Sequence, residues 1–282
     1  MNRLIILTLP LFVAACAGGG GGGTSSGSAS TTPFTSWAAV APNSTVQLSG
    51  GSTQYTYTST AATLNGQSIT GATVTVAENA NNSPTSVAIQ SAQGASVSIN
   101  TANGDTITTS GGVLSGQSKD GKTQILGIQY DYQSFGVWNN GSGSGTVGAV
   151  TAGNTTVATN IPTTGSATFT GKSLGVYGSA GAGYFTVADM SANVNFASRS
   201  IAFATTNTVN TDTFAKIPGL NLGGSFAYNQ GSGQFSGGVG SVNGMSGTGS
   251  GQFYGPTATE IGGTVALSGN NAVFTGAFGG KR

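Results

Sequence analysis

Apolar and polar residues alternate with a period of two along most of this chain, and nowhere is a helical period sustained. The alternation is cleanest near the C-terminus. Gly251, Phe253 and Gly255, then Ile261, Gly263, Val265 and Leu267, then Ala272, Phe274, Gly276 and Phe278 each fall on one face of an extended run. Gly255-Pro256 and Gly269-Asn270-Asn271 separate the runs, and both are turn chemistry, since Pro presets φ and Gly or Asn accepts positive φ. The pattern predicts a closing three-strand meander with the Phe residues inside and the alternate positions, Thr275 among them, on the outer face.

Five more strands are predicted upstream, over 167–177, 184–196, 199–206, 220–229 and 234–239. In the second, Tyr184, Thr186, Ala188, Met190, Ala192, Val194 and Phe196 share one face, whereas Asp189, Ser191, Asn193 and Asn195 share the other. Together with the meander this makes eight strands, the number at which side chains just fill a barrel. Phe169, Phe196, Phe203, Phe226, Phe253, Phe274 and Phe278 supply a filled interior. A membrane pore would need the opposite arrangement, an apolar outer band around a polar lumen. Residues 211–217 could make a single helical turn.

The first half is also strand-like but less regular. Residues 54–59, 73–77, 86–90, 96–100 and 105–109 alternate or carry β-branched side chains, with Asn65-Gly66 and Asn103-Gly104 as turn signals. A hairpin is predicted around Lys119-Asp120-Gly121-Lys122, and Asn139 to Gly145 reads as a loop by composition. The expected fold class is all-β: a β-rich N-terminal domain followed by an eight-stranded antiparallel β-barrel with a filled interior.

The N-terminus changes the picture. Arg3 precedes an apolar run from Leu4 to Val13, then Ala14, Ala15 and Cys16, which reads as a signal peptide ending in a lipobox. The run is about ten residues, against about twenty needed to span a bilayer, so a transmembrane anchor fits poorly. Cys16 is the predicted lipidation site, carrying acyl chains on sulfur and on the new amino terminus. It is the only cysteine, so the mature chain has no disulfide. From Ala17 to Pro33 the sequence is a Gly/Ser tether. The expected organisation is a signal peptide over 1–15, lipidated Cys and tether over 16–35, the N-terminal domain over 36–161 and the barrel over 162–282.

Charge and chemistry narrow the function. Charged residues make up 5% of the chain. Without Arg3, the eight basic residues become seven against seven acidic, so the mature chain is near neutral and no nucleic acid is expected as a partner. There are no histidines, which removes the commonest general base and imidazole ligation of metal or haem. The seven carboxylates are scattered singly, so the paired acids of a glycosidase are not evident. No enzyme and no cofactor are expected. Tyr55 and Tyr57, and Tyr130, Tyr132 and Trp138, form aromatic clusters that serve either as binding anchors or as strand packing.

The wording of the meander carries more than its period. FYGPTATEIGG, with a terminal FGGKR, resembles the closing hairpins of the β-barrel domain of transferrin-binding protein B and its relatives, surface lipoproteins that include haem-binding members. The run YDYQSFGVW, residues 130–138, resembles the aromatic strand that leads from the handle domain toward that barrel. The resemblance implies a handle-like character for residues 36–161. It also implies a non-enzymatic lipoprotein of the Gram-negative outer membrane, displayed on the cell surface and binding a protein or haem-protein ligand or an outer-membrane receptor, in iron or haem acquisition. The alternative is a structural or adhesive surface β protein. Within the motif, Tyr254 and Glu260 are the candidate partner-binding residues. Tyr254 is expected to be exposed because Phe253 takes the core side, and Glu260 is either a contact at the barrel end or a charge paired with Lys281 or Arg282. Transferrin receptors of this kind have two lobes, whereas this chain has room for one handle and one barrel.

Overall fold

The computed structural model describes residues 34–180 and 182–282. The predicted signal peptide, Cys16 and the tether up to Pro33 lie outside the described residues. The strands are β1 (Thr45–Tyr57), β2 (Ala62–Glu78), β3 (Pro84–Gln90), β4 (Ser96–Asn100), β5 (Thr106–Ser110), β6 (Val113–Gln117), β7 (Thr123–Gln129), β8 (Gln133–Ser142) and β9 (Ser144–Gly153). They continue with β10 (Ser166–Ser179), β11 (Ala182–Asn195), β12 (Ser200–Asn210), β13 (Leu222–Tyr228), β14 (Gln234–Ser241), β15 (Ser246–Tyr254), β16 (Glu260–Gly269) and β17 (Ala272–Lys281).

The first nine strands form one antiparallel sheet in the order β4-β3-β2-β1-β9-β8-β7-β6-β5. Its two edge strands are consecutive in sequence, so the sheet curls until they meet. A short 3-10 turn, Thr101–Asn103, joins them, with Gly104 in the left-handed region at φ 85°. Asp105 holds the corner by accepting from the backbone N–H groups of Asn100 (2.8 Å) and Lys119 (2.9 Å). The concave side is packed with Val46, Leu48, Val74, Val76, Val87, Ile89, Ile99, Ile125 and Trp138.

Strands β10 to β17 close into an eight-stranded barrel, as expected. Closure comes from β17, which pairs with β16 from Glu260↔Lys281 to Gly269↔Ala272 and with β10 from Thr170↔Lys281 to Ser179↔Ala272. The β16–β17 hairpin turns on Asn270 (φ 55°) and Asn271 (φ 57°), the pair of positive φ values that a tight two-residue hairpin requires. The interior is filled by aromatic rings. Phe278 lies 4.7 Å from Phe203 and 6.1 Å from Phe226, which in turn stacks on Phe235 at 5.5 Å.

One expectation fails instructively. The outer faces of β16 and β17 are not solvated, and both strands are buried on both sides along nearly their whole length. Thr275 is fully buried. The covering layer is the convex side of the curled sheet: Tyr55, Phe135, Val137, Val147 and Ala149 pack against Leu174, Val176, Val273 and Ala277. The outward residues of β16 and β17 are small, mostly Gly, Ala, Thr and Val, which lets the two sheets approach closely. A Cβ built on Gly279 would lie 2.3 Å from the Phe135 ring.

Four local readings are corrected. Asn139 to Gly145 is not a loop: it forms the tip of the β8–β9 hairpin, where Gly141 pairs with Gly145 so closely that a Cβ on Gly145 would meet the Asn140 carbonyl at 2.1 Å. Asn65-Gly66 does not turn the chain but lies inside β2, where Gly66 (φ 115°) sits opposite Gln54 at a register shift. The segment 130–138 is not one connecting strand. Tyr130 donates to the Gln133 carbonyl across a tight turn, and β8 then leads into β9 of the same sheet. Residues 211–217 form no helix: one turn, closed by Phe214 N–H to the Asn210 carbonyl, is followed by extended chain, and the nearest 3-10 turn is at Pro218–Leu220.

Candidate functional site

Tyr254 and Glu260 come together at one end of the barrel, and neither is exposed. Tyr254 ends β15, and its partner across the sheet is Glu260, which begins β16. Both side chains are buried under the curled sheet. The Glu260 carboxylate accepts from the backbone N–H groups of Asp131 (2.8 Å) and Tyr132 (3.2 Å), gripping the β7–β8 turn. The Tyr254 hydroxyl bonds to Thr151 Oγ1 at 3.1 Å, and burial pushes its pKa up to about 12. Burial also raises the Glu260 carboxyl above its ordinary range, against the pull of the two N–H groups and of Lys281.

Lys281, opposite Glu260 across the sheet, sends its ammonium group to Asp131 at 2.9 Å and over the Tyr130 ring at 5.1 Å. Gln133 Nε2 donates to the Ile261 carbonyl at 2.9 Å, and Thr156 Oγ1 donates to the Gly255 carbonyl at 2.7 Å. Further along β16, Gln67 Nε2 donates to the Thr264 carbonyl at 2.8 Å. The expectation that Tyr254 is an exposed contact is therefore overturned. Strand alternation did send it away from the barrel interior, but a second sheet occupies that side. Glu260, Tyr254 and Lys281 together make a polar latch between the sheet and the barrel.

This latch end also receives the first described residues. Trp37 N–H donates to the Asp131 carbonyl at 2.9 Å, its indole donates to Ser134 at 3.0 Å, and Asn154 donates to the Thr35 carbonyl at 2.9 Å. The alternating barrel strands place the β12–β13 loop, the β14–β15 turn and the β16–β17 turn at the opposite end. Asn270 ties two of these turns together through the Asn243 carbonyl at 2.7 Å. The most exposed large apolar side chains among the described residues are Phe214, at 78%, and Val242, at 74%, and both lie at this distal end. Val157, at 64%, lies at the latch end.

Phe214 is held in place rather than trailing. Its φ is 57°, an uncommon value for a bulky residue, and its N–H donates to the Asn210 carbonyl at 2.9 Å. Asn210 Oδ1 accepts from the N–H groups of Asp212 (2.8 Å) and Thr213 (3.0 Å), while Thr211 N–H donates to the Phe185 carbonyl at 3.0 Å. The loop thus presents an aromatic ring to solvent from a braced backbone. Sequence reasoning missed Phe214 because a single aromatic in a polar loop carries no periodic signal.

Beside that loop the sheet and the barrel diverge, leaving a cleft of about 290 Å³ lined by Tyr55, Tyr57, Gln124, Asn139, Phe185 and Asp212. Tyr55 and Tyr57 are thus brought together, with ring centroids 6.5 Å apart. The other aromatic cluster is dispersed. Trp138 is fully buried inside the curled sheet, Tyr130 packs edge-on against Phe135 at 5.5 Å, and Tyr132 covers Gly255. Among the described residues no group of three or more potential metal ligands is found.

Residues 161–282 match the family model described as the C-lobe and N-lobe beta barrels of Tf-binding protein B. Among solved structures, a tryptophan-to-alanine variant of the vaccine antigen transferrin-binding protein B of Haemophilus parasuis aligns at 16% identity and TM-score 0.49, over 78% of this chain and 47% of its own. An isotype 1 transferrin-binding protein B from serogroup B Neisseria meningitidis aligns at 17% identity and TM-score 0.47, over 82% of this chain and 43% of its own. A protein described as a surface lipoprotein aligns at 11% identity and TM-score 0.44, over 82% of this chain and 98% of its own. The chain thus spans about half the length of the transferrin-binding proteins it matches. Comparison with curated protein sequences found no match.

Proposed function

We propose, from a C-terminal barrel that belongs to the family of transferrin-binding protein B barrels, that this chain is a Gram-negative outer-membrane lipoprotein displayed on the cell surface. It is acylated on Cys16 and binds a protein or haem-protein ligand without catalysis, in the service of iron or haem acquisition. The observation that carries the reading, beside the family match, is the polarity of the folded unit. The chain enters at the latch end, whereas the braced Phe214 and Val242 stand exposed at the other. Anchored through a Gly/Ser tether, the unit would hold that distal end away from the lipid. Exposed aromatics on a preorganised loop are the kind of side chain that dominates protein interfaces, because they bury large area at small entropic cost.

Two experiments test this. Cys16→Ser should abolish acylation and release the protein from the outer-membrane fraction; retention through high salt and carbonate washing would refute the anchor. Purified protein should bind transferrin or a haem-carrying protein such as haemoglobin in surface plasmon resonance, and Phe214→Ser should weaken that binding by about tenfold or more. Binding indifferent to Phe214 would refute the distal end as the contact, and no binding to either class would refute the ligand assignment.

A further inference from the structure

The distal cleft has a chemistry of its own, and we infer that it is a binding site for a neutral saccharide. Cross-strand neighbours place Tyr55 opposite Val147, Val147 opposite Asn139 and Asn139 opposite Gln124, a single row across β1, β9, β8 and β7. The row lies on the convex side of the sheet, since Val137 and Val147 pack toward the barrel while Trp138 packs inward. The barrel contributes the outer face of its first hairpin, where Val176 pairs with Phe185 and Gly178 with Gly183. Tyr55 closes the floor: a Cβ on Gly178 would lie 2.6 Å from its hydroxyl. Among the described residues no hydrogen bond runs between the sheet and barrel side chains that line this cleft, in contrast to the latch end.

The lining is specific in kind. Tyr57 and Phe185 offer half-buried aromatic surfaces. Gln124 and Asn139 offer adjacent planar amides, each able to donate and accept, and Asp212 adds an acceptor from the loop that carries Phe214. The Tyr55 ring is buried, yet its hydroxyl makes no hydrogen bond among the described residues. A hydroxyl that faces a cleft, with no protein partner among the described residues, suits a polar ligand.

The ligand class follows by matching charge, size and shape. No Lys or Arg lines the cleft, so a phosphate, sulfate or carboxylate would find Asp212 as its only charged neighbour and be repelled. A lone carboxylate is too few ligands for a metal ion. A volume of about 290 Å³ sits at the small end of ligand pockets, roughly 300 to 1,000 Å³. A pyranose has an apolar C–H face that fits against an aromatic ring, and rim hydroxyls that both donate and accept. It would lay that face on Tyr57 or Phe185 and direct its hydroxyls to Asn139, Gln124, Asp212 and Tyr55. The inference stands independently of the protein ligand proposed above.

Titration of the folded protein with N-acetylglucosamine, galactose and lactose, with sialic acid as the charged comparison, tests it by saturation-transfer NMR and amide shift mapping. At least one neutral sugar should bind in the millimolar range, about −4 kcal/mol, with sialic acid weaker and the shifted amides clustered at 55–59, 139, 178–185 and 212. Tyr57→Ala and Asn139→Ala should each weaken binding by about tenfold, with melting checked for both, and Phe214→Ser should leave it unchanged. Absence of saturation transfer from every neutral sugar, binding that survives both cleft variants, or shifts that map elsewhere would overturn the inference.

Discussion

Replacing Gly262 by alanine adds one methyl group at the centre of the latch, and the structure says how much that should cost. Gly262 lies on β16 and points at the curled sheet, where its Cβ would sit 1.9 Å from Gln133 Oε1 and 3.0 Å from Thr151 Oγ1. An ordinary carbon–oxygen contact is well over 3 Å, so Gln133 must retreat by more than an ångström. It is fully buried and held by its hydrogen bond to the Ile261 carbonyl at 2.9 Å. Overpacking of this kind costs about 1–3 kcal/mol, and losing the hydrogen bond adds about 0.5–1.5 kcal/mol. Together this is about 1.5–4.5 kcal/mol of a total stability near 5–15 kcal/mol. Gly238, on the solvent face of β14, has nothing within 4 Å of the same methyl group. Gly238→Ala should therefore be neutral or stabilise by about 0.4–1 kcal/mol, through lower entropy of the unfolded chain. Urea melts of the two variants beside the parent, in a soluble form starting at Ala17, decide the matter. Similar small changes at both positions would mean that the sheet and the barrel do not pack as described.

Phe278→Ala should cost about 3–5 kcal/mol in the same melts, because the ring is fully buried among Phe203, Phe226 and Phe235; a loss under about 1 kcal/mol would refute a filled interior. Thr275 is fully buried and its hydroxyl has no partner among the described residues, so Thr275→Val should leave stability unchanged or raise it by about 1 kcal/mol, and a clear loss would reveal a hidden bond. Burial raises the folded-state pKa of Glu260, so the folded chain keeps this proton to higher pH than the unfolded chain does. The stability it contributes should thus fall as pH rises from its ordinary value of 4.5 toward the raised one. The stability of the parent minus that of Glu260→Gln should decline across that window in pH-dependent urea melts, and a rise would show that the two N–H groups outweigh burial.

The barrel was legible in the sequence because each of its strands obeys one local rule. Interior positions, apolar or Gly, recur at every second residue, and turn residues mark the ends: Asn270 and Asn271 announce a hairpin, and Phe274 and Phe278 announce its inner face. Burial of the outer face obeys no such rule. Thr264, Thr275 and Gly279 have the composition of a wetted surface, and only the convex sheet packed against them makes them interior. The same blindness hid β9. Its Gly-rich tip read as loop, although Gly145 and Gly148 are what let β9 lie against Asn140 and beneath Trp138, where added Cβ atoms would sit at 2.1 Å from the former's carbonyl and the latter's ring. In this chain glycine marks close approach as often as it marks a turn, and one sequence does not separate the two uses.

That ambiguity bears on the candidate sites. Tyr254 and Glu260 drew notice because they stand in a distinctive motif, and their polarity suggested exposure. The structure gives that motif a folding reason: β15 and β16 offer polar groups to a sheet that arrives from earlier in the chain, and the turn of that sheet presents the backbone N–H groups of Asp131 and Tyr132 to Glu260. A buried carboxylate accepting both satisfies them at once and fixes the register between the two sheets. Contact residues for a ligand face no such constraint. Phe214 and Val242 need only a braced loop and open solvent, and the residues of the distal cleft are contributed by strands from both sheets. The motif therefore identifies the latch, and the proposed binding surfaces lie where the sequence is locally least patterned and the fold brings distant segments together.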